Sequence, residues 1–281
     1  MKNLSEKNAI ITGGSRGIGC HIARHLAKEK VNLALVALKD ELNDLNTITS
    51  EIKKLGVRAI AIPADITSED DRKMILEYSE KELGPIDILV NNVGIGGVAD
   101  FKRQGEDDII KTINTNLTSP ILLTKLLLPG MLKRKAGHIV SISSGAGKFG
   151  TPFQSAYSAS KAGLIQWTAA LRNELRGTGV DLSVVVPGYV AGAGMFADYR
   201  INASKEYKTP MIVGEVLPDD VAEAVIKIIK NNKQQIIVSP GPFRVILAIN
   251  ELFPGFAAKL MDTVGVKKLN QEMASDLQKT F

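Results

Sequence analysis

Short apolar runs alternate with longer amphipathic segments from one end of the chain to the other, and this alternation limits the folds open to it. The short runs have the composition of buried strands and cover residues 9–12, 31–36, 57–62, 86–90, 138–143, 181–186 and 235–238. The segments between them show helical periodicity over residues 17–28, 41–55, 70–83, 107–133, 156–176 and 219–231. Strands separated by helices of this length form repeated βαβ units. The sequence therefore predicts an α/β protein with a single Rossmann-like, doubly wound parallel sheet and helices on both faces.

Composition and charge exclude several other classes of protein. The 281 residues are 44% hydrophobic and 23% charged, which is too apolar for a disordered chain. The net charge is +5, but cations and acids are interleaved, so we expect no nucleic-acid binding. The polar residues 1–8 contain no apolar signal core, and the lone Cys20 fits a reducing compartment. We expect a cytoplasmic protein.

Two segments depart from the alternating pattern and divide the chain. We expect one dinucleotide-binding and catalytic domain over residues 1–239, in which the Gly- and Ala-rich residues 190–218 form a mobile substrate lid. Residues 240–281 form an amphipathic C-terminal extension with apolar residues at helical spacing: Val245, Ile246, Ile249, Leu252, Phe253, Phe256 and Leu260. Three interpretations stay open for this extension: packing on the body or on a second subunit, contact with a membrane surface, and contact with an apolar substrate.

A glycine-rich loop joins the first strand to the first helix. It reads Thr12-Gly13-Gly14-Ser15-Arg16-Gly17-Ile18-Gly19. Glycines allow a tight turn and a close approach of the backbone to a pyrophosphate, and the start of a helix offers free N–H groups to it. This position in the chain predicts a dinucleotide site formed by Gly13, Ser15, Arg16, Gly17, Ile18 and Gly19.

A tyrosine and a lysine are spaced to share one face of a helix. Tyr157 and Lys161 are four residues apart, so the phenol and the ammonium project side by side. A neighbouring cation lowers the pKa of a phenol, which suits Tyr157 to proton transfer. Ser143 and Ser144 end the fifth strand, where a hydroxyl can donate to a substrate carbonyl.

These motifs resemble those of the short-chain dehydrogenase/reductase family over residues 8–239. The loop has its T-G-x-x-x-G-x-G spacing, Asn91-Asn92-Val93-Gly94 is similar to its N-N-A-G, and Tyr157 and Lys161 match its Y-x-x-x-K. The resemblance implies that Ser144 is the catalytic serine, with Ser143 as the alternative. It also implies that Asn116, and not the nearby Asn114, supports the proton relay.

The same resemblance implies cofactor contacts along the edge of the sheet. Asp65 would lie by the adenine, Lys161 would bind the nicotinamide ribose, and Pro187-Gly188-Tyr189-Val190 is similar to the P-G-x-V segment beside the nicotinamide. The family often has Thr where this chain has Gly192. The expected contacts beyond the glycine loop are Asp65, Ile66, Asn91, Val93, Gly94, Tyr157, Lys161, Pro187, Gly188 and Val190.

The end of the second strand bears on the choice of dinucleotide. A carboxylate there would accept the ribose hydroxyls of NAD, but no acid occurs before Asp40. Arg16 and Lys39 are placed to clamp a 2′-phosphate. NADP(H) is favoured and NAD(H) stays possible.

Together these features predict an NAD(P)(H)-dependent oxidoreductase without a metal. Hydride would pass between the nicotinamide and a hydroxyl or carbonyl carbon of an apolar substrate (lipid, sterol-like or acyl), because the lid and the extension are rich in apolar residues. The alternative is a dinucleotide-binding sensor or scaffold without turnover. A homodimer or homotetramer is expected from the resemblance. His21, His25 and His138 show no spacing to one another or to acids that suggests a site.

Overall fold

The computed structural model describes residues 1–194, 196–197, 199, 207–211 and 213–277, apart from the side chains of residues 242, 243 and 257. Part of the predicted lid, residues 190–218, lies outside these described residues.

The central sheet has seven parallel strands in the order β3-β2-β1-β4-β5-β6-β9. Its strands are β1 Asn8–Thr12, β2 Asn32–Ala37, β3 Ala59–Pro63, β4 Ile88–Asn91, β5 Gly137–Ile142, β6 Val180–Pro187 and β9 Gln235–Val238. The short strands β7 (Tyr189–Val190) and β8 (Glu215–Val216) form a separate parallel pair at the two ends of the predicted lid. The strand order reverses between β1 and β4, which opens a crevice at their carboxyl ends. The predicted doubly wound fold is confirmed.

Helices cover both faces of the sheet because successive strand residues point to opposite sides. In β1, Ile11 packs in the core that includes Leu26, whereas Ile10 packs in the core that includes Leu123. The helices of the sheet region are α1 Gly17–Lys28, α2 Leu42–Lys53, α3 Glu69–Leu83, α4 Glu106–Ile113, α5 Ser119–Arg134, α6 Ser155–Glu174 and α7 Pro218–Lys230.

The helix predicted over residues 107–133 is confirmed as one continuous helical stretch, residues 106–134. It contains a π-helical turn, Asn114–Thr118, between α4 and α5. The wider turn brings Asn116 inward, where its buried side chain bonds to the backbone of Ile95. Other predicted boundaries differ by one or two residues: the third strand, for example, begins at Ala59 rather than at residue 57.

The C-terminal extension forms three helices: α8 Gly241–Leu252, α9 Pro254–Thr263 and α10 Val266–Leu277. Pro254 suits the first turn of α9, and Gly265, with φ of +91°, separates α9 from α10. The helices pack against the body, since Met261 and Val266 share a core with Phe149. Within the described residues, no helix is long and apolar enough to cross a bilayer.

Candidate active site

A cleft of about 120 Å³ lies at the carboxyl edge of the sheet. Its walls come from the glycine loop, the ends of β5 and β6, the start of α6 and the predicted lid. The lining residues are Ile18, Gly96, Gly97, Ser143, Ser144, Gln154, Tyr157, Pro187, Gly188, Tyr189, Val190, Ala193, Gly194, Phe196 and Tyr199. The cleft therefore joins residues from distant parts of the sequence.

The glycine loop has a backbone that requires glycine at three predicted positions. Gly13 and Gly17 have φ of +67° and +57°, and a Cβ on Gly19 would lie 1.9 Å from the carbonyl oxygen of Gly13. Within the described chain no side chain caps the first turn of α1, so its N–H groups stay available to an anion. These features fit a pyrophosphate cradle.

Asn92 holds this cradle against the end of β4, a role that the sequence analysis missed. Its side-chain nitrogen donates to the carbonyl oxygens of Thr12 and Gly13, at 2.9 and 3.1 Å. The backbone nitrogens of Asn92 and Val93 donate to the Thr12 hydroxyl. Asn91, which was predicted to bind cofactor, is buried in the sheet, where its side chain donates to Thr124. The adjacent Asn91 and Asn92 are the sequence feature that could have indicated this role. The register of β4 decides which of the two side chains faces the glycine loop.

The two serines after β5 point in different directions. The Ser143 hydroxyl donates to the backbone oxygen of Lys161 at 2.8 Å and is buried. Ser144 accepts from the backbone nitrogen of Ala146, and its side chain also interacts with that of Tyr157. The structure thus brings Ser144 and Tyr157 together and directs the Ser143 side chain to the backbone of α6.

Lys161 is buried beneath Tyr157 and does not depress the pKa of the phenol. Burial raises the pKa of Tyr157 to about 12, and the interaction with the Ser144 side chain opposes this rise. Burial also lowers the pKa of Lys161 to about 8. The expectation that Lys161 lowers the pKa of Tyr157 is wrong for this structure, because desolvation dominates at both groups.

Asn116 connects the loop after β4 to α6. Its side-chain oxygen accepts from the backbone nitrogen of Ile95 at 2.8 Å, and its side-chain nitrogen donates to the Ile95 oxygen and the Ser160 hydroxyl. A Cβ on Gly94 would lie 3.1 Å from Lys161 Nζ and 3.6 Å from Asn116 Oδ1. Gly94 therefore keeps open the space beside Lys161 and Asn116.

Arg16 and Ser15 of the glycine loop both bind Glu41, an acid that the sequence analysis passed over. The Ser15 hydroxyl donates to Glu41 Oε2 at 2.5 Å, and Arg16 Nε donates to Glu41 Oε1 at 3.2 Å. Glu41 follows Lys39 in a 3₁₀ turn after β2, and Lys39 itself is exposed. The turn brings the Glu41 carboxylate to the expected 2′-phosphate site, where the sequence analysis named only the cations Arg16 and Lys39.

The remaining predicted cofactor contacts occupy the same edge. Pro187, Gly188 and Val190 line the cleft. Asp65 accepts from the nitrogen and hydroxyl of Thr67, and Ile66 is buried beside it. Gly192 has φ of +67°, so a threonine in that position would be strained.

Two histidines have an acidic partner that the sequence spacing did not reveal. Asp219 Oδ1 lies 2.9 Å from His21 Nδ1 and 3.0 Å from His25 Nε2, and these contacts join α1 to α7. In the described part of the chain, no group of three or more His, Cys, Asp or Glu residues is arranged to hold a metal ion.

A second, smaller lobe of about 60 Å³ lies next to the cleft. Ser144, Gln154, Gly188 and Tyr189 line both spaces. The other lining residues of the second lobe are Gly145, Ala146, Phe149, Thr151, Met261 and Val266. The C-terminal extension thus contributes two apolar side chains beside the predicted catalytic serine.

The sequence of this chain is similar to those of known proteins. A family model described as short chain dehydrogenase matches residues 7–203. The chain is 40% identical to ketoacyl reductase HetN of Nostoc sp. over 281 residues, covering 98% of this chain and 95% of that relative. It is 35% identical to the 3-oxoacyl-(acyl-carrier-protein) reductase FabG of Staphylococcus aureus over 206 residues, covering 73% of this chain and 81% of that relative.

Two solved structures share the architecture. A metagenomic short-chain oxidoreductase in complex with NADP has a TM-score of 0.70 and 29% identity, covering 84% of this chain and 97% of the other. A variant of actinorhodin polyketide ketoreductase with NADPH has a TM-score of 0.78 and 31% identity, covering 86% and 99%.

Proposed function

Because the chain belongs to the short-chain dehydrogenase family of oxidoreductases, we propose that it transfers hydride between NADP(H) and the carbonyl or hydroxyl carbon of an apolar acyl substrate. One observation carries this proposal: the side chains of Ser144 and Tyr157 interact with each other in a cleft that also contains Ile18 of the glycine loop. Proton transfer and dinucleotide binding would then share one space.

The cofactor would lie along the carboxyl edge of the sheet. The glycine loop and the start of α1 would hold its pyrophosphate, Arg16 and Lys39 its 2′-phosphate, Asp65 its adenine, and Lys161 its nicotinamide ribose. When bound, NADP(H) supplies or accepts the hydride. The NADP and NADPH in the related structures support this assignment.

The chain's own residues would manage the proton. Ser144 would donate a hydrogen bond to the substrate carbonyl oxygen, and Tyr157 would give its hydroxyl proton to that oxygen. The raised pKa of Tyr157, about 12, keeps this proton on the phenol at neutral pH, which suits the direction of reduction. Asn116 would act as a positioning residue, because it fixes Ile95 and Ser160 around Lys161.

An acyl substrate is supported by the relatives and by the lobe beside the serine. HetN and FabG are both ketoacyl reductases by name, and HetN matches this chain through the C-terminal extension. The lobe offers Phe149, Met261 and Val266 to an apolar group.

The test is NADPH binding by fluorescence, followed by NADPH oxidation with a panel of apolar ketones and 3-oxoacyl thioesters. We expect NADPH binding and turnover of at least one compound, with turnover strongly reduced in Ser144→Ala and retained in Ser155→Ala, a control at an exposed serine at the start of α6. Failure to bind NADPH or NADH would overturn the proposal. Binding with no turnover of any compound would favour the sensor alternative.

Contact with a membrane is a second candidate property of the extension. Leu252, Phe253 and Phe256 are 75%, 63% and 61% exposed at the corner between α8 and α9. Met261 lies five residues after Phe256, about 7.5 Å along the helix, so α9 joins this corner to the apolar lobe. We propose that the corner rests on a lipid surface from which an apolar substrate enters.

Co-sedimentation with phospholipid vesicles tests this contact. The triple variant Leu252→Ser, Phe253→Ser, Phe256→Ser should bind less than the unmodified chain, whereas Phe101→Ser, a control of similar exposure, should not. Equal vesicle binding by all three proteins would exclude the proposed lipid contact. Deletion of residues 240–281 is unsuitable, because it removes Met261 and Val266 from the core.

A further inference from the structure

We propose that the C-terminal extension builds a subsite for the hydrocarbon tail of the substrate, with Met261 setting the longest acyl chain that fits. The inference rests on the proposed function and deepens it. The substrate carbonyl would lie at Ser144 and Tyr157, and its saturated chain would run into the lobe lined by Met261 and Val266.

The position of the lobe supports this arrangement. Ser144, Gln154, Gly188 and Tyr189 line both the cleft and the lobe, so a molecule held at Ser144 has direct access to either space. A substrate with a polar head and an apolar tail can therefore place them on opposite sides of the reacting carbon.

The chemistry of the lobe suits a saturated chain. Among the residues described, none that lines it carries a charge. The Thr151 hydroxyl donates to the backbone oxygen of Phe149, which satisfies one of the few polar groups present. Burial of a chain there would leave few polar groups without partners.

The wall formed by the extension is a packed part of the core. Met261 and Val266 are 3% and 2% exposed and share a cluster with Phe149, Ile246 and Leu247. Such packing fixes the depth of the lobe, because close-packed interiors resist small changes of volume. The lobe needs a fixed depth to discriminate between substrates of different acyl-chain length.

Tyr189 stands between the two spaces and is held from both sides. Its ring makes an edge contact with Phe196, with the centroids 4.7 Å apart. Its hydroxyl interacts with the side chain of Asn270, which opposes the effect of burial in raising the Tyr189 pKa to about 12. Asn270 is fully buried, and its amide atoms make no hydrogen bond of normal geometry with the described residues. The proximity of Tyr189 and Asn270 places α10 beside the wall of the cleft.

The experiment measures kcat/KM for NADPH-dependent reduction of 3-oxoacyl thioesters of increasing acyl length by the full chain. Each buried methylene adds about 0.8 kcal/mol, or roughly fourfold in kcat/KM, until the lobe is full. We expect such a rise followed by a plateau. Met261→Phe should move the plateau to shorter chains, and Met261→Ala should move it to longer ones.

Controls separate this inference from the proposed function. The 3-oxobutyryl thioester should react within about twofold of its original rate in both variants, because it does not reach the lobe. Met74→Phe, on α3, should leave the whole profile unchanged. If Met261→Phe does not fold by circular dichroism, Val266→Ala serves instead and should extend the plateau.

The outcomes are distinguishable. No reduction of any thioester by the unmodified chain, the short one included, would overturn the proposed function. Reduction that does not depend on chain length, or a plateau that stays in place in the Met261 and Val266 variants, would overturn the subsite alone.

Discussion

The ammonium nitrogen of Lys161 lies 5.9 Å from the centre of the Tyr157 ring and donates a hydrogen bond to the backbone oxygen of Ile142 at 3.0 Å. The lysine is thus held below the phenol by the end of β5. This arrangement explains why burial, rather than their mutual interaction, dominates the pKa values of both groups.

Removal of the Tyr157 hydroxyl should abolish proton transfer but leave the cofactor site intact. We expect Tyr157→Phe to lower kcat by about 100-fold or more, the scale of general acid–base catalysis, with NADPH affinity within a few-fold. Steady-state kinetics and fluorescence titration measure the two effects. Tyr78→Phe, at an exposed tyrosine on α3, is the control and should behave like the original protein. An active Tyr157→Phe variant would refute the assignment.

Lys161 should reduce stability at neutral pH, because its charge is buried. The pKa of Lys161 is lowered from 10.5 to about 8, so its contribution favours the folded protein most above pH 10.5. This contribution to the free energy of unfolding is lost as the pH falls from 10.5 to 8. The difference corresponds to about 3 kcal/mol. Lys161→Met should therefore gain stability relative to the original chain at pH 7, and this gain should shrink as pH rises from 8 to 10.5. Urea unfolding at several pH values measures it, and a gain that is constant with pH would contradict the prediction.

Arg16 and Glu41 should adjust the choice of dinucleotide in opposite directions. Arg16→Ala should weaken NADPH binding more than NADH binding, because only NADPH carries the 2′-phosphate. Glu41→Gln should strengthen NADPH relative to NADH, since it removes a carboxylate that binds Arg16 and would repel the phosphate. Titrations with both cofactors test the pair. Equal changes in the affinities for NADPH and NADH in both variants would show that neither residue discriminates between the two cofactors.

His138 should make the fold sensitive to acid. Burial in β5 lowers its pKa from 6.5 to about 4, and its Nε2 bonds the Ser183 hydroxyl at 2.8 Å. Its contribution to stability is present above pH 6.5 and is lost as pH falls towards 4, by about 3 kcal/mol. His138→Asn should flatten this part of the pH dependence of unfolding. His21→Asn is the comparison at a histidine that is less buried, and an unchanged slope in His138→Asn would exclude the assignment.

Much of the fold was determined by local sequence. Buried parallel strands need continuous apolar runs, and the alternation with amphipathic helices therefore indicated the doubly wound sheet. The glycine loop was equally readable, because the backbone at Gly13, Gly17 and Gly19 tolerates no side chain. The predicted Ser144, Tyr157 and Lys161 were recognised by motif, and the tertiary structure brings all three to one edge of the sheet.

Other features depended on contacts between distant segments, and only the tertiary structure decided them. Glu41 meets Arg16 across 25 residues, and Asp219 meets His21 across 198, so no local spacing reveals either pair. The pKa of Tyr157 follows from burial by surrounding elements, not from a lysine four residues away. Met261 reaches the lobe beside Ser144 because α9 and α10 fold back onto the body. Local sequence fixes backbone preference and periodicity, whereas desolvation and the shape of a cleft arise when the whole chain has packed.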